Sequence, residues 1–424
     1  MKKTFLVLLV PLLFILSAAP TIAEAQQAIS ASYDTAIDFP ETLTFSLNAE
    51  SPADITQVIL SYKVNKIRTV TVISEVVPEI APAPAVSTSW EWDMRNASLP
   101  PGAEVQYSWR IEDAAGRELE TPWETVRFED DRYLWKSLTE EKVSLFWYEG
   151  NQAFGGELLD AATEALEKLA SDTGAHLEQD VEIYIYASSE DLLSALIYAQ
   201  EWTGGIAFNE YGILAIGIEP NNMEWGKRTI AHELAHLVTY QMTYNPYSDI
   251  PTWLNEGLSM YIERDLDPTF RSLLNNVISH DMLISVQTLS SNFPTDVQEA
   301  RLSYAESYSL VEFLIDNYGS DKMLSLLDVF KQGSSYDNAL KQVYGFNTLG
   351  LDNAWRASLG LGPREVSPTP TPQPTPTPKT NFFGCKEASA NAGHSSTTAL
   401  GALGILLLPG IGEIIRLRAR RGKR

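Results

Sequence analysis

Cysteine occurs once in this chain of 424 residues, at position 385. A single thiol excludes an internal disulfide framework and any metal site built on clustered cysteines. Basic residues are scarce as well: 31 Lys and Arg stand against 55 Asp and Glu, a formal net charge of −24. That balance excludes a general nucleic-acid binder, which needs a basic surface to neutralise phosphates. It also excludes a body that adheres to anionic lipid through its bulk surface. No internal repeat of solenoid length is visible. Histidine numbers only five, so a motif that uses two of them at close spacing stands out. What is present suits a sizeable core, with 44% hydrophobic and 20% charged residues. The length suits two or three domains.

The two ends carry the marks of export and attachment. Residues 1–25 read as a secretory signal peptide: Lys2 and Lys3 are followed by an apolar run to Ser17, then by the small residues of Ala23-Glu24-Ala25. Residues 367–378, SPTPTPQPTPTP, cannot pack a core and are expected as a stiff polyproline stalk. Past a polar stretch with Cys385, the apolar residues 398–415 precede a tail, 416–424, in which six of nine residues are Arg or Lys. Retained basic charge predicts a transmembrane helix or sorting segment with a cytoplasmic C-terminus. The run is short for the ~20 residues a bilayer demands. This end resembles prokaryotic C-terminal sorting tails, which implies a bacterial protein on the extracellular face of the cell membrane. Removing the ten basic and three acidic residues of 1–25 and 379–424 leaves 21 against 52, a net of −31 for the exterior part.

Between the ends the pattern divides in two. Residues 28–131 hold short alternating segments between turn signals, among them Thr42–Leu47, Val58–Val64 and Val105–Ile111. Several such strands in about 100 residues predict an all-β sandwich of immunoglobulin or fibronectin type. Trp90, Trp92, Trp109 and Trp123 are expected to pack within and across strands, with a carbohydrate-binding face as the weaker reading. Residues 145–361 turn to helices with a few strands. Leu158, Leu159, Ala162, Ala165, Leu166 and Leu169 recur at helical spacing, Val181–Ala187 reads as a strand, and 204–208 and 212–218 as two adjacent strands.

The chemistry lies at 232–256. His232-Glu233-Leu234-Ala235-His236 places two imidazoles four apart, on one face of a helix, where both reach one metal ion. No proline interrupts Trp225–Met242. Glu233 sits beside the pair, suited to take a proton from water. A second helix, entered through Pro251, carries Glu256 twenty positions after His236. Two histidines and a carboxylate meet the count of a catalytic zinc, which keeps a fourth position open.

These residues resemble the gluzincin metallopeptidases, of thermolysin-like and aminopeptidase N-like type. The resemblance is carried by HELAH, by the spacing to Glu256 and by WLNEGLSMYIER. It implies a multidomain chain in which the sandwich precedes an α+β zincin-like metallopeptidase domain, mostly helical in its C-terminal half. It implies Zn2+ held by His232, His236 and Glu256, with Glu233 as general base and acid. It further implies an oxyanion-stabilising tyrosine, Tyr304 with Tyr308 as rival, and a supporting acid at Glu263. The substrate is then a peptide or protein. GGIAFNEYG departs from the strand whose glutamate holds the free amine in the aminopeptidases; Glu210 stands nearby in a different phrase. The alternative is a non-enzymatic surface adhesion protein with a structural zinc, closed by a fourth protein ligand.

Overall fold

A computed structural model describes residues 28–67, 71–198, 204–263 and 266–364. The expected signal peptide, stalk, apolar segment 398–415 and basic tail lie outside the described residues, as does Cys385. Among the described residues no helix is long and apolar enough to cross a membrane. This corrects the expectation of a transmembrane helix: neither the C-terminal anchor nor a place on the extracellular membrane face is supported. The physical reason lies in the helix surfaces. The 22-residue helix Gln152–Thr173, for example, sets Glu157, Asp160, Glu164, Glu167 and Lys168 among its leucines, the pattern of a helix with one face on a core.

The chain is a mixed α/β protein. Seven strands come first: β1 (Ser30–Asp38), β2 (Thr42–Val64), β3 (Ser74–Val76), β4 (Ala83–Asp93), β5 (Ala103–Asp113), β6 (Glu118–Glu120) and β7 (Glu124–Phe128). Every pairing among them is antiparallel. They form one hydrogen-bonded network, because the 23-residue β2 belongs to both halves. Its first half lies between β1 and β4; its second half pairs with β3 and β5. The register shifts between Glu50 and Ile55, where β2 changes partners. There the Ser51 hydroxyl donates to Asp113 Oδ2 (2.5 Å), and Arg117 Nε donates to the same carboxylate (2.7 Å). The immunoglobulin or fibronectin type is not confirmed by this pairing. Trp109 is wholly buried, Trp90 stacks with Phe45, Tyr62 and Trp92, Trp92 also meets Tyr62 at a tilt, and Lys63 lies over Trp123. The four tryptophans thus form no single exposed face.

A five-stranded sheet follows, in the order β11-β12-β10-β9-β8, made of β8 (Lys136–Glu140), β9 (Val143–Trp147), β10 (Val181–Tyr186), β11 (Gly205–Phe208) and β12 (Ile213–Gly217). The three central strands are parallel and both edges antiparallel. Between β9 and β10 the chain crosses over through α1 (Gln152–Thr173), the usual route between parallel neighbours. Asn151 caps α1 by accepting from the Phe154 amide (2.9 Å), and Gly174, at φ 74°, ends it in the left-handed region.

This sheet is covered on both faces. Ile183, Ile185, Leu214 and Ile216 face the helices, where α1 contributes Leu158, Leu159, Ala162 and Leu169. Tyr184, Tyr186, Ile206, Ile213 and Ala215 join the core of the N-terminal strands instead, with Leu43, Phe45, Trp109 and Phe128. Period-two alternation sends neighbouring residues of each strand to opposite faces, so β10 serves two cores at once. Arg127 ties the two sheets at their rim, donating to both Glu182 oxygens (3.0 and 2.8 Å) and to the Tyr184 hydroxyl (2.9 Å). The remaining helices are α2 (Ser189–Ser194), α3 (Met223–Thr243), α4 (Thr252–Ile262), α5 (Pro268–Ser279), α6 (Val286–Leu289), α7 (Val297–Tyr318), α8 (Ser320–Lys331), α9 (Tyr336–Tyr344) and α10 (Thr348–Ser358).

Candidate metal centre

α3 runs through the middle of the helical layer, and every residue from Thr229 to Thr239 is buried. The four-residue spacing brings the His232 and His236 rings to 4.9 Å between centroids. α4 packs alongside and presents Glu256, whose Oε2 lies 3.7 Å from His232 Nε2 and 3.5 Å from His236 Nε2. α4 in turn lies close against α7: a Cβ on Gly257 would meet the Ser307 carbonyl, so glycine is required beside Glu256.

The chemistry of this set fits a metal ion. Ligand atoms from His232, His236 and Glu256 all lie within 4.8 Å of one another, the one group of this kind among the described residues. His232 Nε2, His236 Nε2 and both Glu256 oxygens are buried without a hydrogen-bond partner. Buried polar atoms are normally partnered, and leaving one unpartnered costs about 1–3 kcal/mol. Four such atoms converging on one point could hold a divalent cation.

The far nitrogen of each ring is held. His232 Nδ1 meets the Glu263 carboxylate, and His236 Nδ1 lies 3.1 Å from both Asn255 Oδ1 and Ser259 Oγ. Ser259 donates its own proton to the Asn255 carbonyl (3.1 Å), which leaves its oxygen to accept from the ring. Donation from Nδ1 on both rings turns the Nε2 lone pairs toward Glu256. Glu263 is where the resemblance expects a supporting acid, and Arg228 Nε stands 3.7 Å from its other oxygen. Asn255 and Ser259 escaped the reading of the sequence. Asn255 lies inside WLNEG and was legible there; nothing marks Ser259 except its place four after Asn255 on a helix.

Glu233 is buried beside the cluster, and its Oε1 also lacks a partner. Burial, reinforced by Glu256 and Glu263, pushes its carboxyl up to about 8. β11 passes directly over it: a Cβ on Gly205 would lie 2.9 Å from Glu233 Oε1 and 3.2 Å from Thr229 Cγ2. Tyr304, on α7, is buried, and its phenol is raised well above its usual range, first by burial and then by the charges of Glu256 and Glu233. Tyr308 is engaged elsewhere, its hydroxyl donating to Glu312 (2.9 Å). Glu210 lies in the turn beyond β11, paired with Lys66 (2.6 Å). His176 and His280 are exposed and bond to carbonyls of their own segments.

Residues 161–360 match the family model of the Peptidase MA superfamily. No curated protein matches the chain. Among solved structures, an M1 zinc metallopeptidase of Deinococcus radiodurans with a Tyr-Ser-Ala substrate is 10% identical, at a TM-score of 0.34, with 82% of this chain and 97% of that one covered. Aminopeptidase A of Legionella pneumophila, with aspartic acid, is 10% identical at 0.33, covering 76% and 47%. OgpA of Akkermansia muciniphila is 17% identical at 0.19, covering 26% of this chain and 31% of that one, less than a third of its length. The family match, and not these likenesses, bears on the chain's kinship: residues 161–360 are similar to the Peptidase MA superfamily, in keeping with the gluzincin resemblance read from HELAH and WLNEG.

Proposed function

We propose that the chain is a zinc metallopeptidase that hydrolyses peptide bonds in a peptide or protein substrate. One observation carries this reading: four unpartnered buried donor atoms on His232, His236 and Glu256 converge beside a fifth on Glu233. His232, His236 and Glu256 hold the zinc. Zinc held there supplies the Lewis acidity that acidifies water and polarises a carbonyl.

The rest of the chemistry belongs to the protein. Glu233 takes the proton of the attacking water and passes it to the leaving amine. Its place beside His232, with Oε1 unpartnered, leaves that oxygen available for the transfer. Tyr304 donates a hydrogen bond to the developing oxyanion, an interaction worth about 3 kcal/mol in comparable sites. Glu263, Asn255 and Ser259 fix the imidazoles. β11, at the edge of its sheet, offers its open side to an extended peptide. Residues 145–361 form the catalytic unit, and 28–131 an accessory β unit that shares a core with it. A three-ligand set without a fourth protein ligand among the described residues favours an open catalytic site over a closed structural one.

The test compares wild type with Glu233→Gln. The variant keeps its zinc and loses about 10²- to 10⁴-fold in kcat. A Glu233→Gln enzyme with zinc and full activity removes Glu233 from the role of base.

A further inference from the structure

The strand that crosses Glu233 is gripped at its other end by the N-terminal β unit. β11 alternates in the usual way: Gly205 and Ala207 face α3, while Ile206 and Phe208 face the N-terminal core. Two residues past Phe208, the turn 209–212 meets the segment that leaves β2. The Ile67 amide donates to the Glu210 carbonyl (2.7 Å), and Lys66 Nζ donates to Glu210 Oε2 (2.6 Å). The same Lys66 nitrogen stands 5.2 Å from the centre of the Tyr211 ring. Ile67 Cδ1 lies 3.6 Å from where a Cβ of Gly212 would be, and Gly212 holds φ at +69°. Asn65 is itself fixed, its amide donating to the Glu104 carbonyl on β5 (2.9 Å).

We propose that Lys66 and Ile67 are positioning residues for the catalytic site: by clamping the β11–β12 turn they set how close β11 lies to Glu233. The clamp acts along four residues of strand. At its far end Gly205 leaves the Glu233 carboxylate less room than a methyl group would need. A displacement of the turn therefore reaches the base directly and does not touch His232, His236 or Glu256. A peptide laid along β11 is moved by the same displacement. The N-terminal unit becomes part of the peptidase machinery rather than a separable appendage.

The proposal rests on the peptidase reading above, and the experiment separates the two. Lys66→Glu, Glu210→Lys and the double swap are made in the full chain. Both side chains are about one-third to two-fifths exposed, so the fold tolerates the changes. Three quantities are read: zinc content, kcat/KM on a peptide, and amide hydrogen exchange across 204–212. Each single variant is expected to keep its zinc and melting temperature and to exchange faster in 204–212. Its kcat/KM falls by about 2- to 30-fold, the range of couplings transmitted through packed elements. The double swap, which restores the ion pair, recovers both readouts. A purely structural role would alter exchange throughout the chain and lower the zinc content. Single variants that match wild type in exchange and in kcat/KM overturn the proposal, as does a double swap that rescues neither. If wild type hydrolyses no peptide, the peptidase reading fails, while the exchange measurement still decides whether the clamp holds β11.

Discussion

Glu306 provides a test of the packing behind the site. It lies on α7, wholly buried, and its oxygens accept from the Ile284 amide at 2.9 and 3.3 Å. Burial dominates its titration and pushes the carboxyl up to about 8. The Ile284 amide and Arg364 oppose that rise, and Asp352 reinforces it. Arg364 is committed mostly elsewhere, to Asp352 Oδ2 (2.8 Å) and to the Leu283 and Ile284 carbonyls. A carboxyl raised in the folded state binds its proton more tightly there than in the unfolded chain, where it titrates near 4.5. Folding is therefore favoured fully below pH 4.5, and this advantage is lost as pH rises toward 8. The slope is about 1.4 kcal/mol per pH unit, so between pH 4.5 and 7 wild type forfeits about 3 kcal/mol at this one residue. Glu306→Gln keeps the shape and cannot ionise. Urea unfolding of both proteins from pH 4.5 to 8 isolates the residue, since every other group cancels in the difference. The variant should gain on wild type steadily across that range, by a few kcal/mol at the upper end. A flat difference would mean that Arg364 holds Glu306 ionised throughout, and would refute the reasoning.

Other expectations concern the site itself. Tyr304→Phe should lower kcat about 10²- to 10³-fold with zinc retained, as loss of an oxyanion donor does; Tyr308→Phe, which removes only the bond to Glu312, should leave kcat unchanged in the same assay. Asn255→Ala with Ser259→Ala strips both acceptors from His236 Nδ1 and should weaken zinc binding about 10- to 100-fold, read by competition with a chelator. Gly257→Ala forces a methyl against the Ser307 carbonyl and should cost about 1–3 kcal/mol of stability by denaturant unfolding. It should also reduce zinc content, because Glu256 is the adjacent residue.

The candidate metal centre was legible because its geometry is local. Four-residue spacing on a helix places His232 and His236 together whatever surrounds them, and Glu256 needs only one helix folded back. β11 and β12 were legible for the same reason, as short apolar runs bounded by glycine. β2 was harder. Thr42–Leu47 and Val58–Val64 read as two separate alternating segments, yet the chain continues between them as one strand with a register shift, and Ser51 there is bonded to Asp113, 62 residues away. Nor does the sequence of β10 say what covers each face. Tyr184 and Tyr186 alternate with Ile183 and Ile185 as in any strand buried on both sides, and only the fold shows that their partner is the N-terminal sheet. Tyr304 and Tyr308 lie one helical turn apart and look alike in sequence; what separates them is Glu312 beside one and Glu256 near the other.

The central claim is that His232, His236 and Glu256 form a three-ligand zinc centre. Metal analysis of the purified full chain, wild type against Glu256→Gln, tests it most directly. The account predicts one zinc per wild-type chain, its removal by a chelator together with peptide hydrolysis, and a severe loss of zinc in the variant. A wild-type chain that binds no zinc, or a Glu256→Gln chain that holds it as tightly as wild type, would contradict it.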